Sequence, residues 1–144
     1  MKPIRNSISY VVYNGDRSKF LIVLRPESDR ELPNVWGLPA GNVGNGETFE
    51  DAVHRSLREK LGLDGRIVKQ IGEGTTERDS YALFMKLYEV QILSGSPRVP
   101  QSVEGVTQYT QCRWGATNDL LDAASKGSLC CNMYLKSVNK RLRT

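Results

Sequence analysis

Apolar and polar positions along the first part of the chain predict two strands joined by a tight turn. Residues 7–13 are rich in β-branched and aromatic side chains, which favour a partly buried strand. Residues 19–25 form a short apolar run, which indicates a strand buried on both faces. Between them, the pair Asn14-Gly15 is a strong turn signal. The polar, proline-containing residues 27–39 are predicted to form an ordered loop.

A glycine-rich segment and an amphipathic helix come next. Three glycines fall within residues 41–46, which predicts a tight turn or a close approach of the backbone to another group. Thr48 has the position of a helix N-cap, and Gly62 has that of the C-terminal stop. Between these caps, apolar residues recur at every fourth position, at Val53, Leu57 and Leu61. This spacing predicts one buried stripe along the helix.

The rest of the chain predicts more strands and two closing helices. In chain order these are strands at 66–71 and 81–93 with a polar hairpin connection at 72–80, a strand at 106–114, a helix at 118–125 capped by Thr117, and a helix at 128–141. Strands on both sides of one internal helix, followed by closing helices, predict an α/β fold with a mixed sheet flanked by helices. We expect a single domain over residues 1–144.

Composition narrows the class of protein. The chain has 144 residues, of which 39% are hydrophobic and 25% charged, as is usual for globular proteins. It has no run of about eighteen apolar residues and no apolar stretch of a signal peptide near residue 1, so we expect a cytoplasmic protein without a membrane partner. The cysteines lack metal-site spacing and are interpreted as reduced packing residues: Cys112, Cys130 and Cys131. The net charge of +4 fits an anionic small ligand, but it does not favour nucleic acid as the main partner.

Residues 41–63 carry the pattern that points to chemistry. Gly41 is followed after five residues by Glu47, and Glu47 is followed after seven more by Arg55. The remaining matches are Leu57, Glu59 and the closing pair Gly62-Leu63. With these fixed spacings the segment resembles the Nudix box, whose pattern is G, five residues, E, seven residues, R-E-U-x-E-E-x-G-U, where U is a bulky aliphatic residue.

The resemblance implies a fold, an activity and a cofactor. The fold would be the Nudix-type α/β/α sandwich, with a mixed sheet between helices. The activity would be hydrolysis of compounds in which a nucleoside diphosphate is linked to another group. Attack on a diphosphate requires its charges to be neutralised and a water to be activated, which hard cations held by carboxylates accomplish. The resemblance therefore implies a nucleotide-type ligand and either Mg²⁺ or Mn²⁺.

Two positions depart from the box. Ser56 stands where the pattern has a glutamate after Arg55, and Lys60 stands where it has one after Glu59. On an ideal helix these four residues share one broad face, which here holds one carboxylate, two cations and a hydroxyl. Such a face suits several Mg²⁺ ions poorly and suits a phosphate, or an internal ion pair, better. The departures make bound Mg²⁺ or Mn²⁺ doubtful, leave a single metal ion as the alternative to a cluster, and predict weak hydrolysis.

Each candidate in the box has a structural alternative. Glu59 either lies in the metal site or forms a helix salt bridge with Arg55. Glu47 either binds a metal or fixes the loop against the helix and Arg55. Lys60 is either solvated or has its ammonium at the position of a metal, and its place near the apolar stripe favours the second alternative.

Candidates outside the helix come with weaker signals. By resemblance, the backbone carbonyl of Ala40 is a metal ligand, and Glu104 is an additional carboxylate acting as ligand or base. Arg25, at the end of the second strand, would contact a terminal phosphate, and Trp36 would stack on a base. A surface-loop role for Glu104 and a core role for Trp36 are the alternatives.

The sequence leaves two functions open. A hydrolase would use Arg55, Glu59 and Glu104 at the reaction centre. A binding module that has lost hydrolysis would hold a nucleotide or phosphate through donors such as Ser56 and Lys60, with no metal. Nucleic-acid binding through the basic tail is a third and weaker hypothesis. Nudix proteins are often dimers, so a homodimer is a further hypothesis, although nothing in the sequence identifies an interface.

Overall fold

The computed structural model describes residues 2–99, 102–103 and 106–143, which form strands, three α-helices and one short 3₁₀ helix. The strands are β1 (Ile4–Val12), β2 (Phe20–Leu24), β3 (Trp36–Gly37), β4 (Ala40–Asn42), β5 (Asp64–Glu77), β6 (Ala82–Ser94), β7 (Ser102–Val103), β8 (Val106–Thr107) and β9 (Gln111–Gly115). The α-helices are α1 (Phe49–Leu61), α2 (Leu121–Ser125) and α3 (Leu129–Arg143), and the 3₁₀ helix spans Thr117–Leu120.

A mixed sheet forms the centre of the fold. Its strand order is β4-β1-β6-β5, and β1 and β6 run parallel from the pair Ile4–Ala82 to the pair Val12–Val90. The other pairings in this sheet are antiparallel. A smaller antiparallel sheet has the order β3-β2-β9, and β7 pairs with β8. The predicted mixed sheet is therefore confirmed.

Helices cover both faces of the sheet. Side chains along β1 alternate between two hydrophobic cores, one on each face. Ile8 and Tyr10 belong to one core together with Leu57 of α1. Val11 belongs to the other core together with Tyr134 of α3. Successive residues of a strand point to opposite faces, so one strand contributes to both cores. The predicted α/β/α sandwich is confirmed in this layering.

The predicted hairpin connection at 72–80 is wrong in extent. β5 continues to Glu77 and pairs with β6 from Asp64–Ser94 to Glu77–Ala82, so only a short turn remains between them. This part of the strand packs against α3 at Gly74. A Cβ on Gly74 would lie only 3.2 Å from the sulfur of Met133.

The single strand predicted at 106–114 is also wrong, because it is divided into β8 and β9. Tyr109 lies between them, and its buried hydroxyl is 2.9 Å from the amide nitrogen of Ala40. The chain thus turns inward at Tyr109 and does not continue the ladder. The predicted cap at Thr117 is wrong as well, since Asp119 accepts from the amide of Ala116, at 2.8 Å, and the helical turn begins at Thr117 itself.

The predicted limits of α1 are confirmed. The Thr48 hydroxyl accepts a hydrogen bond from the amide of Asp51 at 3.0 Å, and Gly62 closes the helix in the left-handed conformation with φ of 66°. Within the described ranges, no helix combines the length and apolar character required to cross a bilayer.

Candidate functional site

The box forms a continuous strand, loop and helix in the structure. Gly41 lies in β4, and the loop that follows reverses at Gly46, whose φ of 76° favours glycine. Glu47 and Thr48 then lead into α1. This arrangement places the loop beside the helix face that carries Arg55.

Arg55 holds the loop through Glu47. Its Nε is 2.8 Å from one carboxylate oxygen of Glu47, and its Nη2 is 3.0 Å from the other. The amide of Gly44 also donates to Glu47, at 2.9 Å. The hydrogen bonds from Arg55 and then from Gly44 lower the pKa of the Glu47 carboxyl below its ordinary value. Both carboxylate oxygens of Glu47 are therefore engaged by the protein itself.

Arg55 also reaches the helix and the neighbouring strand. Its Nη1 lies 3.2 Å from the carboxylate of Glu59, four residues later, and its Nη2 donates to the carbonyl of Asn42 at 2.7 Å. The Glu59 side chain remains 39% exposed. Glu59 thus forms the helix salt bridge that was one of its two alternatives, and its carboxylate stays accessible to solvent.

Lys60 takes the place in which the resemblance implies a metal. Its ammonium nitrogen donates a hydrogen bond to the carbonyl oxygen of Ala40. Burial, followed by the nearby cations Arg25 and Arg55, lowers the pKa of Lys60 to about 8. A partly buried cation therefore lies on the carbonyl that the resemblance assigns to a metal.

Tyr109 completes the contacts of Ala40. Its hydroxyl accepts from the Ala40 amide at 2.9 Å and donates to the Ala40 carbonyl at 3.0 Å. Burial is the main reason that the pKa of Tyr109 rises to about 12. The carbonyl oxygen of Ala40 accepts from both Lys60 and Tyr109, which fills its two lone pairs. Sequence reasoning missed Tyr109, because its position inside a predicted strand carried no signal of this contact.

Ser56 lies in the core and not on a surface available to a ligand. Its side chain is fully buried, and its Oγ is 2.9 Å from the hydroxyl of Tyr10. Arg55, Ser56, Glu59 and Lys60 were predicted to share one helix face. In the structure Ser56 does not belong to the accessible part of that face, because it is buried. The predicted ligand contact of Ser56 is inconsistent with this burial, since a fully buried hydroxyl does not reach a solute.

A cavity of about 200 Å³ adjoins the Lys60–Ala40 contact. Arg25 lines it, with its guanidinium 3.2 Å from the carboxylate of Asp29. Arg78 lines it from the turn between β5 and β6. Sequence reasoning missed Arg78 and Asp29, because a charged residue in a polar loop is not distinguishable from a solvated one. Further lining residues are Gly41, Asn42, Tyr81 and Gln108.

Among the described residues, Trp36 is a predicted site residue that does not line this cavity. Trp36 is partly buried in β3, and the guanidinium of Arg113 lies 4.6 Å from the centre of its ring. Trp36 was predicted to stack on a base, but it is not among the described residues that line the cavity. Glu104 lies outside the described residues.

The residues present fit a cluster of divalent cations poorly. Across the ranges that the structure describes, no three aspartate, glutamate, histidine or cysteine side chains are grouped to hold a metal. Glu47 is bound to Arg55, and the Ala40 carbonyl is bound to Lys60 and Tyr109. Hard divalent cations require several oxygen ligands, and of the predicted ligands that the structure describes, Glu59 alone retains an accessible carboxylate.

Comparisons with known proteins agree with the fold and the box. A family model described as the NUDIX domain matches residues 3–126. A putative 8-oxo-dGTP diphosphatase 2 of Mycobacterium tuberculosis is 39% identical over 72 residues, which cover 47% of this chain and 49% of that protein. An uncharacterized Nudix hydrolase of Nostoc is 33% identical over 100 residues, covering 68% of this chain and 56% of that protein. The chain thus spans about half the length of these curated relatives.

Solved structures match over nearly the whole chain. A MutT protein from Methanosarcina mazei has a TM-score of 0.72 at 17% identity, covering 97% of this chain and 96% of that one. A NUDIX hydrolase from Nitrosomonas europaea has a TM-score of 0.75 at 16% identity, covering 96% of this chain and 90% of that one. At these identities the likeness shows the fold alone.

Proposed function

The chain belongs to the Nudix family, and on that premise we propose that it slowly hydrolyses compounds in which a nucleoside diphosphate is linked to another group. The oxygen of a water molecule forms a bond to one phosphorus, and the bridging P–O bond breaks. The products are two phosphate-bearing compounds. Glu59 accepts the proton of the water, because its carboxylate is accessible beside Arg55. The family generally uses divalent metal cations, but no step proposed here depends on one.

The observation that carries this proposal is the position of the box against the cavity. Gly41 and Lys60, from the two ends of the box, both line the cavity, and Arg25 lines it from the position directly after strand β2. Cationic groups around a concave site favour a ligand with several negative charges. A diphosphate has that charge, and Gly41 and Asn42 at the start of the box line the cavity as well.

Turnover is proposed to be slow for two structural reasons. Lys60 and Tyr109 already bind the Ala40 carbonyl, so this oxygen is unavailable to a cation. Ser56 replaces a family glutamate and is buried. Loss of one positioned acid–base or ligand group lowers rates by roughly 10² to 10⁴. We therefore expect a rate well below that of a protein with the complete box.

The substrate class is proposed from the charges and from the relatives. The mycobacterial relative is named as a putative 8-oxo-dGTP diphosphatase, so oxidised nucleoside triphosphates belong in a substrate panel. ADP-ribose, dinucleoside polyphosphates and NADH extend that panel to compounds with an internal diphosphate. The three free thiols of the chain accord with a reducing cytoplasmic setting.

The test is product release from this panel with Mg²⁺ and with Mn²⁺. Glu59→Gln removes the proposed proton acceptor, and Glu77→Gln is the matched control, since Glu77 is a 73% exposed carboxylate on β5. We expect slow turnover by the wild type, at least a roughly tenfold lower rate in Glu59→Gln, and no change in Glu77→Gln. Equal rates in all three proteins would overturn the role of Glu59.

A second candidate function is a binding module without hydrolysis, and the Lys60–Ala40 contact favours it. This function predicts a wild type that is silent on every compound of the panel yet binds one of them in calorimetry. The variant Lys60→Glu removes the cation and restores one family carboxylate. Activity that appears only in Lys60→Glu would support the binding module, whereas robust wild-type turnover would exclude it.

A further inference from the structure

Three cations from separate parts of the chain meet at one cavity. Arg25 follows β2, Lys60 lies at the end of α1, and Arg78 lies in the turn between β5 and β6. Because each comes from a different element, their shared position depends on the fold and not on a run of basic sequence. Three positively charged side chains, each held by a different part of the fold, therefore line one cavity.

The nearby acidic residues form ion pairs of different strength with Arg25 and Arg78. Asp29 lies 3.2 Å from Arg25, and it also accepts from the amides of Glu31 and Leu32 at 3.0 and 2.9 Å. Glu31 is 3.9 Å from the Nε of Arg78, beyond hydrogen-bond distance. Asp29 thus interacts with Arg25 and the backbone, while among the described residues the Arg78 side chain has only the long ion pair with Glu31.

Arg78 has a buried donor without an acceptor. Its Nε is inaccessible to solvent and, within the part of the chain that the structure describes, makes no hydrogen bond. A guanidinium with an unsatisfied donor keeps capacity for further hydrogen bonds. Arg78 lines the cavity and its side chain is 18% exposed, so a ligand in the cavity can reach this side chain.

Lys60 carries positive charge that its described contacts do not neutralise. Its hydrogen bond is to the uncharged carbonyl of Ala40, and its ammonium lies 5.6 Å from the centre of the Tyr109 ring. Glu59, the adjacent carboxylate, is directed to Arg55. Arg25 lines the same cavity as Lys60, so two positive charges face one ligand. A bound anion would neutralise both.

We propose that Arg25, Lys60 and Arg78 form an anion site that binds the phosphate end of the ligand without a metal ion. The planar guanidinium groups match the oxygens of a phosphate, and the ammonium adds a point charge. The cavity volume of about 200 Å³ is below the roughly 300–1000 Å³ of pockets that enclose a drug-sized ligand. One or two phosphate groups are enclosed, and the remainder of a nucleotide extends outside.

This inference rests on the proposed function in one respect, because it assigns the phosphate end of the same ligand to the same cavity. It differs in needing no hydrolysis and no divalent cation. In the site inferred here, Lys60 supplies the positive charge that the family obtains from a metal. Binding of phosphate compounds should therefore persist when metals are removed.

The experiment is calorimetric titration of the full chain with inorganic pyrophosphate, and separately with inorganic phosphate, in excess EDTA. Arg78→Gln removes one cation of the site. Lys136→Gln is the matched control, since Lys136 is an exposed lysine on α3 and its loss changes the net charge equally. We expect wild-type binding of pyrophosphate, about tenfold or more weakening in Arg78→Gln, and an unchanged Kd in Lys136→Gln.

A more conservative variant distinguishes a loss of binding from a folding defect. Arg78→Lys keeps the charge and loses the planar fork, so we expect a Kd between those of the wild type and Arg78→Gln, with unchanged thermal unfolding. The inference is overturned if pyrophosphate binds only with Mg²⁺, binds in neither condition, or is weakened equally by Lys136→Gln. A wild type that hydrolyses nucleotides with metal but binds no pyrophosphate in EDTA would retain the proposed function and lose this site.

Discussion

Lys60 donates a hydrogen bond from its ammonium to the carbonyl oxygen of Ala40, the backbone group that the family resemblance assigns to a metal. The same oxygen accepts from the hydroxyl of Tyr109 at 3.0 Å. A cation that belongs to the protein thus occupies a position where the family pattern implies a cation from solution. The contact accounts for the poor fit of a metal at this carbonyl.

The stability of the protein should depend on the titration of Lys60. Its pKa is lowered to about 8 from 10.5, so between these values the unfolded chain holds a proton that the folded chain has released. The free energy of unfolding then rises with pH across this window. We expect Lys60→Met to be more stable than the wild type near pH 7 by about 1–3 kcal/mol, and the difference to shrink near pH 10.

Urea unfolding of both proteins at the two pH values measures this effect. The difference between wild type and variant isolates Lys60 from the other groups that titrate in the same window. Lys136→Met is the control, because it removes the same charge at an exposed position on α3. A wild-type curve parallel to that of Lys60→Met would contradict the prediction.

The ion pair between Glu47 and Arg55 should stabilise the loop of the box. Both oxygens of Glu47 accept from Arg55, at 2.8 and 3.0 Å, and the two side chains are only 18% and 33% exposed. We expect Glu47→Gln to lower the free energy of unfolding by about 1 kcal/mol in denaturant titrations near pH 7. Because the pKa of Glu47 is lowered, this contribution should disappear as the pH falls below the ordinary glutamate pKa of 4.5.

The control for Glu47 is Glu77→Gln, which removes the exposed pair of Glu77 with Lys2. Exposed ion pairs contribute little, so this variant should differ from the wild type by less than about 0.5 kcal/mol. If Glu77→Gln lowers the free energy of unfolding as much as Glu47→Gln does, the ion pair between Glu47 and Arg55 contributes no more stability than an exposed ion pair.

Tyr109→Phe should lower the stability of the folded protein by removing the contacts of Tyr109 with Ala40. The substitution removes the acceptor of the Ala40 amide and one donor to the Ala40 carbonyl, at a buried position. Leaving a buried backbone amide without a partner costs about 1–3 kcal/mol, which we expect as the loss of stability in urea titrations. The variant should also weaken pyrophosphate binding, because Lys60 loses a neighbour that helps position its acceptor. Unchanged stability would show that solvent replaces the hydroxyl.

Ser56→Ala should separate core packing from ligand binding. The hydroxyl of Ser56 is fully buried and hydrogen-bonded to Tyr10, so its removal should cost about 1–2 kcal/mol of stability. The Kd for pyrophosphate in EDTA should not change, since the side chain does not reach the cavity. A weaker Kd at unchanged stability would restore Ser56 as a ligand-binding residue.

The sequence by itself determined the features that depend on neighbours a few residues apart. The limits of α1 follow from Thr48 and Gly62, whose capping contacts are local. The stripe of Val53 and Leu57 predicted the buried face, because helix periodicity repeats at that spacing. The spacing from Gly41 to Glu59 identified the family, and the alternating strands predicted the mixed sheet between helices.

Only the tertiary structure decided what the site residues contact. Ser56 and Lys60 are on the same helix, yet one packs against Tyr10 in the core and the other reaches Ala40, twenty residues earlier. Arg78 reaches the cavity from a turn that the sequence marked only as polar. Periodicity and capping act over a few residues, whereas burial, desolvation and the choice of partner depend on segments that folding brings together. The charge and accessibility of this site are therefore set by packing and cannot be obtained from local sequence patterns.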